Sequence, residues 1–240
     1  QFSFSLEQQN KIETLLSLQQ NQIELFTRNL SGTGLVGNGC QSYPFVATSI
    51  EPKKEFTLAT HQQLKQWAPN LLHVLSQHNI WEYENSSFTP LSLSKGLANI
   101  LNKPKTYAEL GSHSNTPQVL NCSDPHIKNL IAQDANIQLL TGTWSGSLSA
   151  LDGEIVSHFS TGFTSTDQGA ISAPLPYLQN LFDTDHISHY SIWLLHPQNM
   201  KFFITAFKKK IQQLPFPVDL IPWDNAELSP LYNGGLHFME

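Results

Sequence analysis

The sequence predicts an α+β fold made of an N-terminal helix, antiparallel hairpins and a C-terminal strand–helix–strand unit. Apolar residues recur at helical spacing near both ends of the chain, and short β-branched and aromatic runs flank turn residues near positions 43–59 and 137–162. With 240 residues the chain can bury a substantial core. We expect a single domain over residues 1–240, and any internal boundary or flap should lie near 80–125.

The first predicted helix opens on the capping-box pair Ser5 and Gln8. Apolar side chains then continue at helical spacing as far as Leu30. Glycines follow from Gly32, so the helix is expected to end there and residues 31–39 are expected to form a loop.

A first hairpin is predicted after that loop. Residues 43–50 are rich in strand formers, Pro52 marks a turn, and residues 56–58 are expected to form the returning strand. Thr60 and Gln63 form a second capping-box pair, which places His61 in the first turn of the next helix.

The middle of the chain is punctuated by prolines, and one short helix is predicted at 93–101. The second hairpin, near 137–162, is expected to turn at Asp152-Gly153, because this dipeptide readily supplies positive φ angles. Trp144 lies in its first strand and is expected in the core. No internal repeat is evident in the sequence.

The C-terminal unit is predicted as a strand at 190–195, a helix at 198–214 and a strand at 218–221. Apolar residues form one stripe along this helix, and three lysines occur in its last turns, where the negative end of the helix dipole favours cations.

Composition excludes some classes of function. The net charge is −6 and the thirteen basic residues include one arginine, Arg28, so nucleic acid is not an expected partner. No apolar run is long enough to span a bilayer as a helix, so an integral membrane protein is not expected. Few charges, many Ser, Thr, Asn and Gln residues, and three Asn-x-Ser sequons favour a secreted or exported protein.

One catalytic hypothesis centres on Cys40 and His61. A glycine-preceded cysteine at the start of a strand, followed by a hairpin and a histidine, resembles the arrangement in cytotoxic-necrotizing-factor-type and chemotaxis-type glutamine deamidases over about 22 residues. The resemblance implies that the Cys40 thiol attacks a glutamine side-chain amide of a protein substrate and that His61 takes the thiol proton. Nearby positive charge and backbone N–H groups would activate such a thiolate.

Alternatives to this pair stay open. His73, His158 or His189 could replace His61 as the base, and Cys40 could instead be buried or joined to Cys122 in a disulfide. The glycine-rich stretch lacks the Gly-Lys-Ser/Thr ending of a P-loop, and no HExxH or Cys-x-x-Cys motif occurs, so neither a cofactor nor a metal is predicted.

The other functional hypothesis is a non-enzymatic module that binds a protein or carbohydrate surface. The chain is poor in charge and rich in amides and hydroxyls, and aromatic residues such as Trp67, Trp81 and Tyr83 could form a recognition face.

Overall fold

The structure is a computed structural model that describes residues 3–60, 89–110, 122–124 and 126–222. It confirms the α+β class. The helices of the described residues are α1 Leu6–Ser17, α2 Pro52–Thr60, α3 Lys95–Ile100, α4 Tyr107–Leu110, α5 Ile127–Ala132, α6 Thr164–Asp167, α7 Leu175–Phe182 and α8 Met200–Ile211. The strands are β1 Ile23–Asn29, β2 Ser31–Gly37, β3 Ser42–Ile50, β4 Pro90–Ser94, β5 Asn136–Gly142, β6 Leu148–Phe159, β7 Ala170–Pro174 and β8 His189–Leu194.

The chain divides into two compact units. The first consists of Gln1–Ser3 and Thr27–Ser191, and the second of Phe4–Phe26 and Ile192–Glu240. Strands β1 and β8 pair in a two-stranded sheet, and the division falls within both of them. The expectation of a single domain with a boundary near 80–125 stays a prediction, since part of that segment lies outside the described residues.

The first unit is built on a closed six-stranded barrel in the order β2-β3-β7-β4-β6-β5. Four neighbouring pairs are antiparallel, whereas β3 with β7 and β4 with β6 are parallel. Alternate side chains point inward and fill the barrel, as the two-residue period of a strand requires. The fully buried members of this core include Val36, Ala47, Leu91, Leu93, Leu139, Ile155 and Ala173.

The barrel has an internal two-fold pseudosymmetry. The order β2-β3-α2-β4-α3 is repeated as β5-β6-α6-β7-α7, and each pairing in one half has its counterpart in the other. Strands β4 and β7 pair with each other at Ser92 and Ser172, which lie 172 − 92 = 80 positions apart. The same offset relates buried residues in and directly after the helices that follow, namely Leu97 to Tyr177, Ala98 to Leu178 and Leu101 to Leu181.

The second unit contains α1 and α8, which pack against each other. The predicted capping box is confirmed: the Ser5 N–H donates to Gln8 Oε1 at 2.9 Å, and the Gln8 N–H donates to Ser5 Oγ at 3.5 Å. Ile12 and Leu16 of α1 are buried, as are three apolar residues of α8, Phe203, Phe207 and Ile211.

The prediction that the first helix reaches Leu30 is wrong. Helix α1 ends at Ser17 and the chain continues as β1 from Ile23, because pairing of β1 with β8 overrides the helical spacing of Ile23 and Phe26. The predicted glycine-rich loop is also wrong, because residues 31–37 form strand β2. A Cβ at Gly32 would overlap the ring of Phe182, so glycine at this strand position permits close packing.

The two predicted hairpins fare differently. Residues 52–60 form helix α2 in place of the predicted returning strand, and β3 instead pairs antiparallel with β2. The second hairpin is confirmed as β5 with β6, but Asp152-Gly153 lies inside β6. The chain turns at residues 143–147, where Gly146 adopts a φ of +87° and its N–H donates to the Thr143 carbonyl.

The short helix predicted at 93–101 is confirmed as α3, and the C-terminal strand and helix are confirmed as β8 and α8. The strand predicted at 218–221 is wrong, because these residues have no regular structure. The second capping box, Thr60 with Gln63, involves a residue outside the described part of the chain.

A buried ion pair anchors α5 to the segment after α3. The Lys103 side chain is fully buried, and its Nζ donates to the Asp134 carbonyl at 2.8 Å and lies 3.4 Å from the Asp134 carboxylate. Burial lowers the Lys103 pKa, and the Asp134 carboxylate opposes that shift. The carboxylate also accepts the Asn136 N–H, at the start of β5.

Removal of one charge should therefore be worse than removal of both. Asp134→Ala should lower the free energy of unfolding by about 3–5 kcal/mol, because it leaves a buried ammonium unpaired. Lys103→Met/Asp134→Asn should change it by less than about 2 kcal/mol, because it leaves no buried charge and keeps an oxygen that can accept the Asn136 N–H. Urea unfolding followed by circular dichroism measures both, and equal losses from the two variants would contradict this account.

Candidate functional site

The turn between β2 and β3 presents Cys40. Asn38 organises it: its Oδ1 accepts the N–H groups of Cys40 at 2.9 Å and Gln41 at 2.8 Å, and its Nδ2 donates to the Leu101 carbonyl at 2.8 Å. The Cys40 sulfur is bonded to that of Cys122, with the two Cα atoms 5.5 Å apart. A disulfide sulfur carries no thiolate, so in this form Cys40 is not a nucleophile.

The structure does not test the pairing of Cys40 with His61. His61 lies outside the described residues, as does His73, so the Cys40–His61 pair stays a prediction and applies only to a reduced form of the protein. The disulfide alternative for Cys40 is the one that the structure contains.

Of the other two histidines considered as bases, His158 is partly buried and His189 is exposed at the start of β8. Burial lowers the pKa of His158, so its imidazole is neutral near pH 7. His158 Nε2 is buried without a hydrogen-bond partner. Within the described part of the chain neither ring hydrogen-bonds to a hydroxyl or thiol, so no activated nucleophile is assembled around them.

A polar cavity of about 260 Å³ lies beside the start of α3 and the loop before β7. Asp167 lies in its wall, where its Oδ2 accepts the Gly96 N–H and its Oδ1 accepts the Thr161 N–H, each at 2.9 Å. These hydrogen bonds, that from Thr161 above all, lower the pKa of Asp167. Its carboxylate thus joins α3 to the loop before β7, and this bonding gives it a structural role.

An apolar row crosses the outside of the barrel on four neighbouring strands. Pro44 of β3 pairs with Leu35 of β2, Leu35 pairs with Leu140 of β5, and Leu140 pairs with Ala150 of β6. All four residues are exposed, and so is Val46, two residues beyond Pro44 on the same face. We refer to Pro44, Leu35, Leu140, Ala150 and Val46 as the outer row.

The surroundings of the outer row are nearly free of charge. Strands β2, β3 and β5 contain no charged residue, and the outward-facing Asp152 of β6 accepts a hydrogen bond from Gln138. At the β5–β6 turn, Trp144 and Leu148 are 58% and 81% exposed. The prediction of a core Trp144 is therefore wrong. The main-chain N–H of Trp144 donates to the Phe182 carbonyl, and the Trp144 ring centroid lies 5.5 Å from that of His186.

The sequence contains a signal for this surface that is separate from the motifs. A strand with one solvated face alternates apolar and polar residues. Two consecutive apolar residues instead place one apolar side chain on each face of the strand. Such neighbours occur at 35–36, 45–46 and 139–140, in three of the four strands. The aromatic residues favoured instead, Trp67, Trp81 and Tyr83, lie outside the described residues.

Two features are absent from the described residues. No cluster of three or more His, Cys, Asp or Glu side chains there is arranged to hold a metal ion. No described helix has both the length and the apolar character needed to cross a bilayer.

Comparisons with known proteins add little. No family model matches the sequence, and no curated protein matches it. Among solved structures, the chain is similar to the extracellular domain of the noncanonic ABC-type transporter YknZ from Gram-positive bacteria, with 11% identity over 88% of this chain and 85% of that chain and a TM-score of 0.41. At this identity and TM-score the likeness says nothing about function.

The disulfide should be both protective and stabilising. Iodoacetamide should label neither cysteine of the native protein and both after reduction and denaturation. The Cys40→Ser/Cys122→Ser double variant should lose about 4 kcal/mol of unfolding free energy, because the bond closes a loop with a sequence separation of 82 residues. Labelling of Cys40 in the native, unreduced protein would contradict the disulfide and support the hypothesis of a reactive Cys40 thiol.

Stability should also fall with acidity because of the partly buried His158. A lowered folded-state pKa means that the unfolded chain binds the proton first, so the contribution of His158 is complete above about pH 6.5 and is lost as the pH falls towards the folded pKa. Urea midpoints at about pH 7.5 and about pH 5 should differ less for His158→Gln than for the wild type. His196→Gln, which removes an exposed histidine, should keep the wild-type difference.

Proposed function

We propose that this chain is a non-catalytic binding module that works outside the reducing cytosol and recognises a protein through the outer row. The observation that carries the proposal is an exposed apolar row continuous across four strands of a closed barrel. Contiguous apolar surface of this kind is costly in water and marks interaction sites on soluble proteins.

The disulfide supports the location. Disulfides persist in oxidising compartments and are rare in cytosolic proteins, and the two cysteines of this chain are joined to each other. The proposal applies equally to a freely secreted protein and to an extracytoplasmic domain of a membrane-anchored protein.

The side chains of the row favour a protein partner over a carbohydrate. Leucine, valine, proline and alanine offer aliphatic surface, and the absence of charge on β2, β3 and β5 matches the core of a protein interface. Because the barrel is closed, its strands have no free edge for an added strand. The partner must therefore pack against side chains, with Trp144 and Leu148 at one end of the contact.

Site-specific photo-cross-linking in cells that produce the protein tests this proposal. A photoreactive residue at Leu35 or Leu140 should give one discrete adduct with a second protein. Addition of Val46→Asp should lower the yield at least tenfold, since a buried unpaired charge costs more than the roughly 1.4 kcal/mol that corresponds to a tenfold change.

Leu130 of α5 is the matched control, because it is a leucine of similar exposure, 47% against 44% for Leu35, outside the row. It should give no adduct, and circular dichroism should show that all variants fold. Equal adducts from Leu130, or none from the row, would contradict the proposal. An adduct of two copies of this chain would replace the partner with a dimer interface.

A further inference from the structure

Helix α8 has an exposed face that the buried stripe does not explain. Lys201, Phe202, Thr205, Lys208 and Lys209 are all exposed, and at 100° per residue they fall within an arc of about 120°. Phe202 is 70% exposed, although a phenylalanine in a helix with a well-formed apolar stripe would ordinarily be buried.

The charge of this face stands out from that of the chain. Four of the thirteen basic residues lie in α8, which contains no acidic residue, whereas the whole chain has a net charge of −6. Among the described residues, Lys201, Lys208 and Lys209 make no ion pair. Their charge is therefore available to a partner.

The helix dipole accounts for only part of this pattern. Lysines in the last turn are favoured by the negative end of the helix, but Lys201 lies in the first turn, where a positive charge is disfavoured. The dipole also gives no reason for an exposed Phe202. An interaction surface that extends along the whole helix and binds an anionic, partly apolar partner accounts for both residues.

We propose that this face of α8 binds the surface of an anionic phospholipid bilayer. Lysines attract the lipid phosphates, while the Phe202 ring enters the boundary between headgroups and acyl chains, the combination found in helices that lie on membranes. A nucleic acid is a poorer match, because this face contains no arginine and its exposed ring stands alone. The contact is peripheral, and it is independent of the outer row, which belongs to the other unit.

Vesicle co-sedimentation of the full chain tests the proposal. The protein should bind vesicles of equimolar phosphatidylcholine and phosphatidylglycerol, should not bind vesicles of phosphatidylcholine alone, and should be released by about 1 M salt. Lys201→Gln/Lys209→Gln should weaken binding about 25-fold, at about fivefold for each lysine. Phe202→Ser should weaken it further than Phe202→Leu, which retains an apolar side chain.

The matched control is Lys105→Gln/Lys128→Gln, which removes two exposed lysines outside α8 and lowers the net charge by the same amount. It should bind as the wild type does. Equal binding to both kinds of vesicle, no binding to either, or an equal loss in the control would overturn the proposal, and the last result would assign any attraction to overall charge.

Discussion

Closure of the barrel is the constraint on which the rest of the first unit depends. Every strand from β2 to β7 has a neighbour on both sides, and the two parallel pairs, β3 with β7 and β4 with β6, connect strands from opposite halves. In a closed barrel the inward-facing side chains are buried in the core, and the outward-facing side chains contact solvent or a partner. The outer row is therefore a direct result of a two-residue period in strands that are apolar on both faces.

The sequence predicts the local elements better than it predicts their pairing. The Ser5–Gln8 capping box, the short helix α3 and the apolar stripe of α8 depend on neighbours within a few residues, and each is found. The sequence does not predict strand β2, because its glycines are typical of a loop, and the need for glycine at position 32 comes from Phe182, which is distant in sequence. The parallel pairs depend on contacts over more than sixty residues, which local patterns do not encode.

The candidate sites show the same division. The glycine neighbours of Cys40 indicate a candidate site, yet the chemical state of Cys40 depends on Cys122, which is distant in sequence. The sequence allowed a thiol or a disulfide, and only the fold brings the two sulfurs together. Consecutive apolar residues in the sequence indicate that β2, β3 and β5 have apolar outer faces. That these residues form one continuous row depends on the register of β3, β2, β5 and β6. The sequence shows the lysines of the exposed face of α8. It does not show that Phe202 is exposed, because this depends on α1 packing against α8 and on burial of the opposite face.

The pseudosymmetry of the barrel has a consequence for its ancestry. Each half contributes two strands as a hairpin and a third strand after a helix. Equivalent strands of the two halves pair with each other, β2 with β5 and β4 with β7. A chain half as long could therefore close the same barrel as a homodimer, and fusion of two gene copies would give the present connectivity. After such a fusion the halves are free to diverge. Here the β2–β3 turn of the first half carries Cys40, which is bonded to Cys122, whereas the equivalent β5–β6 turn of the second half contains no cysteine.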